Sequence, residues 1–262
     1  MSYAEVNGQR LYYEDTGGEG PPVVLSHGFL MDHEMFRPQV DALRATHRVI
    51  TWDERGFGAT EFDGAPFTYW DSARDLLGLL DHLHISRAVL GGMSQGGFLS
   101  LRAALLAPDR VRALILIDTQ AARETEEKVA EYRMMVESWI ADGYQEELAE
   151  LVSGLIIGDP DEEPRWREKW ARWDPRRLAP ASGALLDRDD ITGRLDEIDV
   201  PTLVLHGELD PAIPVERAHD LVAGIPEATG PVVVAGAAHA PNLTHPEPVN
   251  DAIRRFLREL PA

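Results

Sequence analysis

The chain has 262 residues, 44% of them hydrophobic, and its formal net charge is −20. This length suffices for one α/β domain with a large buried core, or for such a domain carrying an insertion. The acidic balance disfavours binding to nucleic acid and to anionic membranes. Because the sequence contains no cysteine, disulfides, thiolate nucleophiles and thiolate metal sites are excluded.

The N-terminal sequence and the apolar runs bear on the cellular location of the protein. Residues 1–7 lack a basic segment followed by an apolar one, so no secretory signal is predicted. No apolar run approaches the length needed to cross a membrane. We therefore expect a cytoplasmic protein, with no membrane or nucleic-acid partner.

Short apolar segments recur along the chain with helical patterns between them. Residues 3–6 and 11–14, around Asn7-Gly8, predict an antiparallel hairpin. Further strands are predicted at 23–25, 49–52, 88–90, 113–117, 202–205 and 232–234. Because these segments do not alternate apolar with polar residues, they are typical of a parallel sheet with helices on both faces. The sequence predicts an α/β fold with a mostly parallel sheet.

Helical patterns separate most of these strands. They cover residues 69–83, 97–107, 215–225 and 247–260. The last of them has Val249, Ile253, Phe256 and Leu257 on one face, as expected for a helix that packs against a sheet.

One interval is too long for an ordinary crossover. About eighty residues separate Asp118 from the strand at 202, and they contain helical patterns at 124–140, 145–155 and 164–173 but no convincing strand. We expect a core domain at residues 1–119 and 197–262, with a helical cap at 120–196 inserted over the strand ends.

The predicted cap is rich in tryptophan. It contains four of the six tryptophans: Trp139, Trp166, Trp170 and Trp173. The last three are spaced i, i+4, i+7 and would share one helix face. Such a face could line a substrate pocket or only attach the cap to the core, and the sequence leaves both interpretations open. An apolar cap could also contribute to a homo-oligomer interface.

Residues 92–96 (GMSQG) form a G-x-S-x-G motif in an informative setting. A predicted strand precedes Ser94 and a predicted helix follows it. A serine on such a strand-to-helix turn projects from the sheet edge, and the flanking glycines avoid collisions that a Cβ atom would cause. The helix N-terminus directs free N–H groups at the group that the serine attacks. The motif predicts a serine-dependent hydrolase.

A serine nucleophile needs a base and a group that orients the base. His239 follows the last predicted strand among small neighbours, and Asp210 follows the strand at 202–205. Both would lie at the carboxyl edge of the sheet with Ser94. Asp118, which also ends a strand, is the weaker alternative for the acid. The other histidines show no metal-ligand spacing, so no metal site is predicted.

Five stretches carry a resemblance to the α/β-hydrolase superfamily, each after a predicted strand. They are 27–29 (HGF), 53–58 (DERGFG), 92–97 (GMSQGG), 207–210 (GELD) and 236–239 (GAAH). The chain resembles this superfamily along nearly its whole length, with features of its serine esterase and enol-lactonase branch. It departs from the common pattern at His245, a position that is often acidic.

The resemblance implies roles for individual residues. It implies an α/β-hydrolase fold with Ser94 as nucleophile, His239 as base and Asp210 as acid. The backbone N–H groups of Phe29 and Gln95 would form the oxyanion hole. Such chemistry passes through an acyl-serine intermediate and needs neither a metal nor an organic cofactor.

The substrate is expected to be a small or medium carboxylic ester. A serine nucleophile argues against haloalkane dehalogenase and epoxide hydrolase chemistry, and Phe29 with the cap tryptophans suggests an apolar pocket. A lactone is the alternative, because residues 117–123 (IDTQAAR) are loosely similar to the enol-lactonase branch. Carbon–carbon bond hydrolysis and perhydrolysis use the same scaffold. A non-catalytic or slow ligand receptor is a more distant hypothesis.

Overall fold

The strands form a single mixed sheet. The computed structural model describes residues 2–61 and 63–261, so positions 1, 62 and 262 of the predicted core domain lie outside the described residues. The strands are β1 Ser2–Val6, β2 Gln9–Asp15, β3 Pro22–Ser26, β4 Arg48–Trp52, β5 Ala88–Met93, β6 Val111–Ile117, β7 Thr202–Gly207 and β8 Ala228–Val234. Their order is β1-β2-β4-β3-β5-β6-β7-β8. The pairs β1–β2 and β2–β4 are antiparallel and the others are parallel, which confirms the predicted fold class.

The helices are distributed between the sheet and a long insertion. They are α1 Arg37–Leu43, α2 Tyr69–His82, α3 Gln95–Leu106, α4 Glu126–Asp142, α5 Glu146–Ile156, α6 Glu163–Ala171, α7 Leu178–Leu186, α8 Glu216–Gly224, α9 Pro241–Thr244 and α10 Pro246–Glu259. Among residues 2–61 and 63–261, none of these helices combines the length and hydrophobicity needed to cross a membrane.

Two apolar clusters cover the two faces of the sheet. Successive strand residues point to opposite faces, so Val24 belongs to one cluster while Val23 and Leu25 belong to the other. Residues of α2, α3 and α8 complete the first cluster, and residues of α1 and α10 complete the second. In α10, the four predicted apolar positions are buried in the second cluster.

The helices α4 to α7, hereafter the inserted helices, lie between β6 and β7. The three helices predicted in this interval correspond to α4, α5 and α6, with ends displaced by one or two residues. Trp173 therefore lies just beyond α6. The sequence analysis did not predict α7, because Pro180 and several small residues obscure its periodicity.

Candidate active site

Ser94 lies on a tight turn between β5 and α3. Its backbone has φ 51° and ψ −114°, a conformation that costs free energy for a residue with a side chain. Its N–H donates to the carbonyl of Ile117, 2.9 Å away on β6. A Cβ atom at Gly92 would collide with the backbone of Gly96, and one at Gly96 with the carbonyl of Ser26. The two glycines therefore allow the helix to start directly against the sheet.

The predicted oxyanion groups flank this turn. Gln95 is the first residue of α3, and Phe29 lies in the loop that follows β3. Within the described residues, neither backbone N–H has a hydrogen-bond partner. The Phe29 loop is held by His27, whose Nε2 accepts from the N–H of Glu54 (3.0 Å) and whose Nδ1 donates to the carbonyl of Gly28 (2.8 Å).

Buried polar side chains hold the first residue of α3 through hydrogen bonds. The side-chain amide of Gln95 donates to a carboxyl oxygen of Glu54 at 2.6 Å, and the hydroxyl of Tyr69 donates to Gln95 Oε1 at 3.3 Å. Burial raises the pKa of Glu54 to about 8. These contacts orient the side chain of Gln95 away from the cavity that Ser94 faces.

Asp210 and His239 are in direct contact. Nδ1 of His239 lies 2.7 Å from Oδ2 of Asp210, and only 5% and 1% of the two side chains are exposed. The other oxygen of Asp210 accepts from the N–H groups of Ala212 (2.8 Å) and Ile213 (3.0 Å), which fixes the carboxylate in its loop. Since a carboxylate accepts at Nδ1, the neutral imidazole carries its proton there and leaves Nε2 able to accept one.

The charge state of Asp210 is set by its surroundings. Burial by itself would raise its pKa, but the charge of His239 and hydrogen bonds from His206 and His239 hold the pKa of this carboxyl below its usual range. Nε2 of His206 donates to the carbonyl of Ile213 (2.8 Å) and lies 3.3 Å from Asp210 Oδ2. Asp210 is therefore the ionised partner of His239 at neutral pH.

Asp118, the alternative acid, lies behind Asp210. Its Oδ1 accepts from the N–H of Gly207 at 2.8 Å, and its side chain has no exposed surface. Burial and the neighbouring charge of Asp210 raise the pKa of Asp118 well above its usual value. Within the described chain, His239 makes no hydrogen bond to Asp118.

Two clusters have the composition of metal sites. Single ligand atoms of Asp32, His33 and Asp53 lie within 4.8 Å of one another, as do those of Asp118, His206 and Asp210. The carboxylates of Asp53 and Asp210 already accept hydrogen bonds from N–H groups of the protein.

Ser94 and His239 line the same cavity of about 120 Å³. In the described structure the serine hydroxyl makes no hydrogen bond to the imidazole; such contacts often tighten only when substrate binds. The walls are mainly apolar. The core contributes Phe29, Phe98 and Ile213, and the inserted helices contribute Val136, Trp139 and Ile156.

The four predicted pocket tryptophans have different positions. Trp139 of α4 lines the cavity, whereas Trp166, Trp170 and Trp173 are not among the described residues of its wall. Trp170 Nε1 donates to the carbonyl of Leu30 at 2.7 Å. Trp173 stacks on Phe57 with ring centroids 5.5 Å apart. Trp170 and Trp173 thus pack the inserted segment against the core, and Trp166 is fully buried.

Polar residues that the sequence analysis did not single out also line the cavity. These are Glu124, Tyr132 and Arg188, which lie before α4, on α4 and after α7. Their signal in the sequence was weak, because Arg188 stands in an acidic run (DRDD) that is typical of a solvated surface. Only the tertiary structure brings Arg188 to Glu124.

Known proteins show the same architecture. A model of the alpha/beta hydrolase fold matches residues 21–246. The structure is similar to a thermophilic esterase from Thermogutta terrifontis (32% identity, TM-score 0.90, covering 99% of this chain and 98% of that one). It is also similar to the enol-lactonase from Burkholderia xenovorans LB400 (29% identity, TM-score 0.89, covering 98% of this chain and 100% of that one).

A sequence relative adds to this comparison. The pimeloyl-(acyl-carrier protein) methyl ester esterase of Aliivibrio salmonicida is 29% identical over 256 residues, which cover 94% of this chain and 95% of the relative. Together with the sheet order and the turn at Ser94, these matches identify the family. The chain belongs to the α/β hydrolase fold family, and its named relatives are hydrolases.

Proposed function

We propose that the protein is a serine hydrolase that cleaves small to medium carboxylic esters through an acyl-serine intermediate. The observation that carries the proposal is the 2.7 Å contact between Asp210 and His239 beside the cavity that Ser94 lines. The similarity to two esterases supports the ester class. The ion pair alone would be compatible with a structural role, but its position beside a strained serine favours catalysis.

The first half of the reaction acylates Ser94. Nε2 of His239 takes the hydroxyl proton as Ser94 Oγ attacks the ester carbonyl, and Asp210 stabilises the imidazolium. The carbonyl oxygen becomes an oxyanion between the N–H groups of Phe29 and Gln95. Each such donor contributes roughly 3 kcal/mol in a comparable enzyme. His239 then protonates the alcohol, which leaves.

The second half returns the enzyme to its starting state. His239 removes a proton from water as the water oxygen attacks the acyl-serine carbonyl. Collapse of this second tetrahedral intermediate breaks the bond to Ser94 Oγ, which regains the proton from His239. The carboxylic acid product is released, and Asp210 stays ionised throughout.

We further propose that residues 120–196 act as a cap that forms the outer wall of the substrate cavity. Trp139 would contact the substrate, while Trp166, Trp170 and Trp173 would hold the cap on the core. Support comes from the position of Trp139 in the cavity wall and from the core contacts of Trp170 and Trp173. An apolar cavity of about 120 Å³ favours short acyl chains.

Lactone hydrolysis is the second candidate. The observation in its favour is the similarity to an enol-lactonase over 98% of the chain. Ring opening would use the same nucleophile, base and oxyanion groups, with the alcohol staying attached to the acyl product.

A kinetic panel tests the two candidates against each other. We expect p-nitrophenyl acetate and butyrate to be turned over by the wild type and not by Ser94→Ala. Simple lactones and an enol-lactone form the second arm of the panel. A kcat/KM for a lactone far above that for every ester would replace the ester proposal, and no turnover of any substrate would favour a ligand receptor.

A further inference from the structure

Three polar side chains interrupt the apolar wall of the substrate cavity. Glu124, Tyr132 and Arg188 line the cavity that also contains Ser94 and His239. Polar groups in an apolar pocket fix the orientation of a ligand and supply specificity. The inference below rests on the proposed ester hydrolysis, because it concerns the part of the substrate that extends from the scissile carbonyl.

Arg188 is a buried cation whose guanidinium has more N–H donors than hydrogen bonds. Only 3% of its side chain is exposed. One terminal nitrogen donates to the carbonyl of Leu185 (2.7 Å) and the other to Glu124 (3.2 Å), while the guanidinium lies 4.6 Å from the ring centroid of Phe98. Its Nε is buried without a hydrogen-bond partner. Burial lowers the pKa of Arg188, but a guanidinium stays protonated in proteins.

Glu124 and Tyr132 add an acceptor and a donor. Oε1 of Glu124 accepts from Gln120 and from Arg188. Neither its Oε2 nor the hydroxyl of Tyr132 has a hydrogen bond among residues 2–61 and 63–261. Burial and the charge of Glu124 raise the pKa of Tyr132, so its hydroxyl is neutral and able to donate.

A structural role explains only part of this arrangement. The Arg188–Glu124 pair joins the segment before α4 to the segment after α7. Removing two charges from water is costly, and replacing such a pair by apolar residues is often neutral or stabilising. A tie between segments does not account for the Tyr132 hydroxyl, which has no hydrogen bond within the described residues although Tyr132 lines the cavity. Polar side chains with unused hydrogen-bonding capacity in an apolar cavity wall are the groups that orient a ligand there.

We propose that Glu124, Tyr132 and Arg188 form a polar subsite that binds an uncharged oxygen group, a ketone or hydroxyl, on the acyl chain of the substrate. A ketone oxygen accepts from the Tyr132 hydroxyl and the Arg188 guanidinium, and a hydroxyl can also donate to Glu124. The group is uncharged because the opposite charges of Arg188 and Glu124 cancel. A substrate carboxylate would be repelled by Glu124 at the distance where Arg188 attracts it.

The test compares acyl esters of equal length. The kcat/KM of the wild type is measured for p-nitrophenyl hexanoate, p-nitrophenyl 5-oxohexanoate and the p-nitrophenyl monoester of adipic acid. We expect the oxo ester to be preferred over hexanoate by about tenfold, as one or two hydrogen bonds allow. We expect Tyr132→Phe to reduce that preference at least threefold, through a rise in KM for the oxo ester that exceeds any change for hexanoate. We expect Glu124→Gln to raise the kcat/KM of the adipate monoester relative to hexanoate, because it removes the charge that repels a substrate carboxylate.

Matched variants separate the subsite from general effects. Tyr144→Phe removes a hydroxyl that contacts Glu146 outside the cavity wall, and Glu137→Gln changes an exposed carboxylate on the same helix as Tyr132. Both should keep the wild-type preference. A stability effect would lower Tm and the rates on all three esters together, and the ratio of rates would stay constant.

Each outcome bears on a different claim. If hexanoate and oxohexanoate esters are turned over equally well, or if Tyr132→Phe leaves their ratio unchanged, the subsite is overturned and the esterase proposal stands. A preference for the adipate monoester overturns the assignment of an uncharged group. If none of the three esters is turned over, the proposed function fails and the subsite fails with it.

Discussion

The core and the inserted helices contribute to the cavity in different ways. Ser94, Asp210 and His239 lie in short loops directly after β5, β7 and β8, and backbone hydrogen bonds tie these loops to the sheet. The inserted helices contribute mainly long apolar side chains from α4, α5 and α7. Positions held by the sheet suit chemistry, which tolerates little displacement, whereas a wall of side chains suits selection among substrates.

The inserted helices themselves divide into two regions. The helix α6 is fastened to the core, because Lys169 lies 2.6 Å from Asp32 and 2.7 Å from Glu34, and Arg165 lies 2.6 Å from Glu34. The helix α4 instead presents Tyr132, Met135, Val136 and Trp139 to the cavity. We therefore predict that substitutions in the core loops change kcat and that substitutions in α4 change selectivity among acyl chains. Substitutions in α6 should change the stability of the fold.

The largest expected effect separates the two aspartates of the core. Asp210→Asn should lower kcat by about 10⁴-fold, as loss of the triad carboxylate does in a serine protease. Asp118→Asn should cost far less, because Asp118 contacts Gly207 and not His239. Steady-state kinetics on p-nitrophenyl acetate measure both. The reverse ranking would make Asp118 the catalytic acid.

These core residues could be predicted because local rules determine their positions. The carboxyl ends of parallel strands meet at one edge, so residues that follow β5, β7 and β8 must come together wherever else the chain runs. The glycines around Ser94 indicated the close approach of α3 to the sheet. The strand positions and the buried face of α10 followed from hydrophobic patterns, except that the first four residues of β8, which include Gly230 and Pro231, were not predicted.

The inserted helices were less predictable for an equally physical reason. The spacing of Trp166, Trp170 and Trp173 indicates a shared face, but no local rule says whether a face meets a cavity or the core. Arg188 and Glu124 are 64 residues apart and contact each other only in the folded chain. Charged residues usually lie in water, so sequence alone favours a surface position for both.

The second prediction tests whether α6 is an anchor. Trp170→Ala removes a buried side chain and its hydrogen bond to Leu30, which should destabilise the protein by about 3–5 kcal/mol. The corresponding fall in Tm is roughly 10 °C, measured by circular dichroism. The ratio of kcat/KM values for butyrate and octanoate esters, determined well below Tm, should stay at the wild-type value. A changed ratio would place Trp170 in the substrate wall.

The third prediction tests whether α4 selects the substrate. Trp139→Ala enlarges the cavity beside Ser94, so the preferred acyl chain should lengthen. Each methylene that newly fits adds up to about 0.8 kcal/mol of burial. We expect the octanoate-to-butyrate ratio of kcat/KM to rise by about tenfold. The α6 variant above is the control, and an unchanged ratio in Trp139→Ala would refute the role of α4.

The smallest expected effect concerns the ion pairs that fasten α6. Burial opposes ionisation of Glu34, but hydrogen bonds from Lys169 and Arg165 and the charges of Lys169 and Arg37 lower its pKa to about 2. A depressed pKa means that the ionised group stabilises the fold above pH 4.5 and that this contribution disappears as the pH falls toward 2. Glu34→Gln should therefore cost about 1 kcal/mol at pH 7.

Thermal melts over a range of pH measure this contribution. The difference in Tm between the wild type and Glu34→Gln should be nearly constant from pH 6 to pH 5 and should shrink as the pH falls from about 4.5 toward 2. Glu137→Gln, on the exposed face of α4, supplies the control with no expected difference. A difference that is constant with pH, or that grows on acidification, would show that the ion pairs do not fasten α6.

The most direct test of the central claim is covalent labelling of the nucleophile. A fluorophosphonate probe reacts with a serine only where a base activates it and an oxyanion site receives the phosphonyl oxygen. We predict a single labelled peptide containing Ser94, loss of esterase activity in proportion to labelling, and no labelling of folded Ser94→Ala. Labelling at another serine, or full turnover by Ser94→Ala, would contradict the proposed catalytic site.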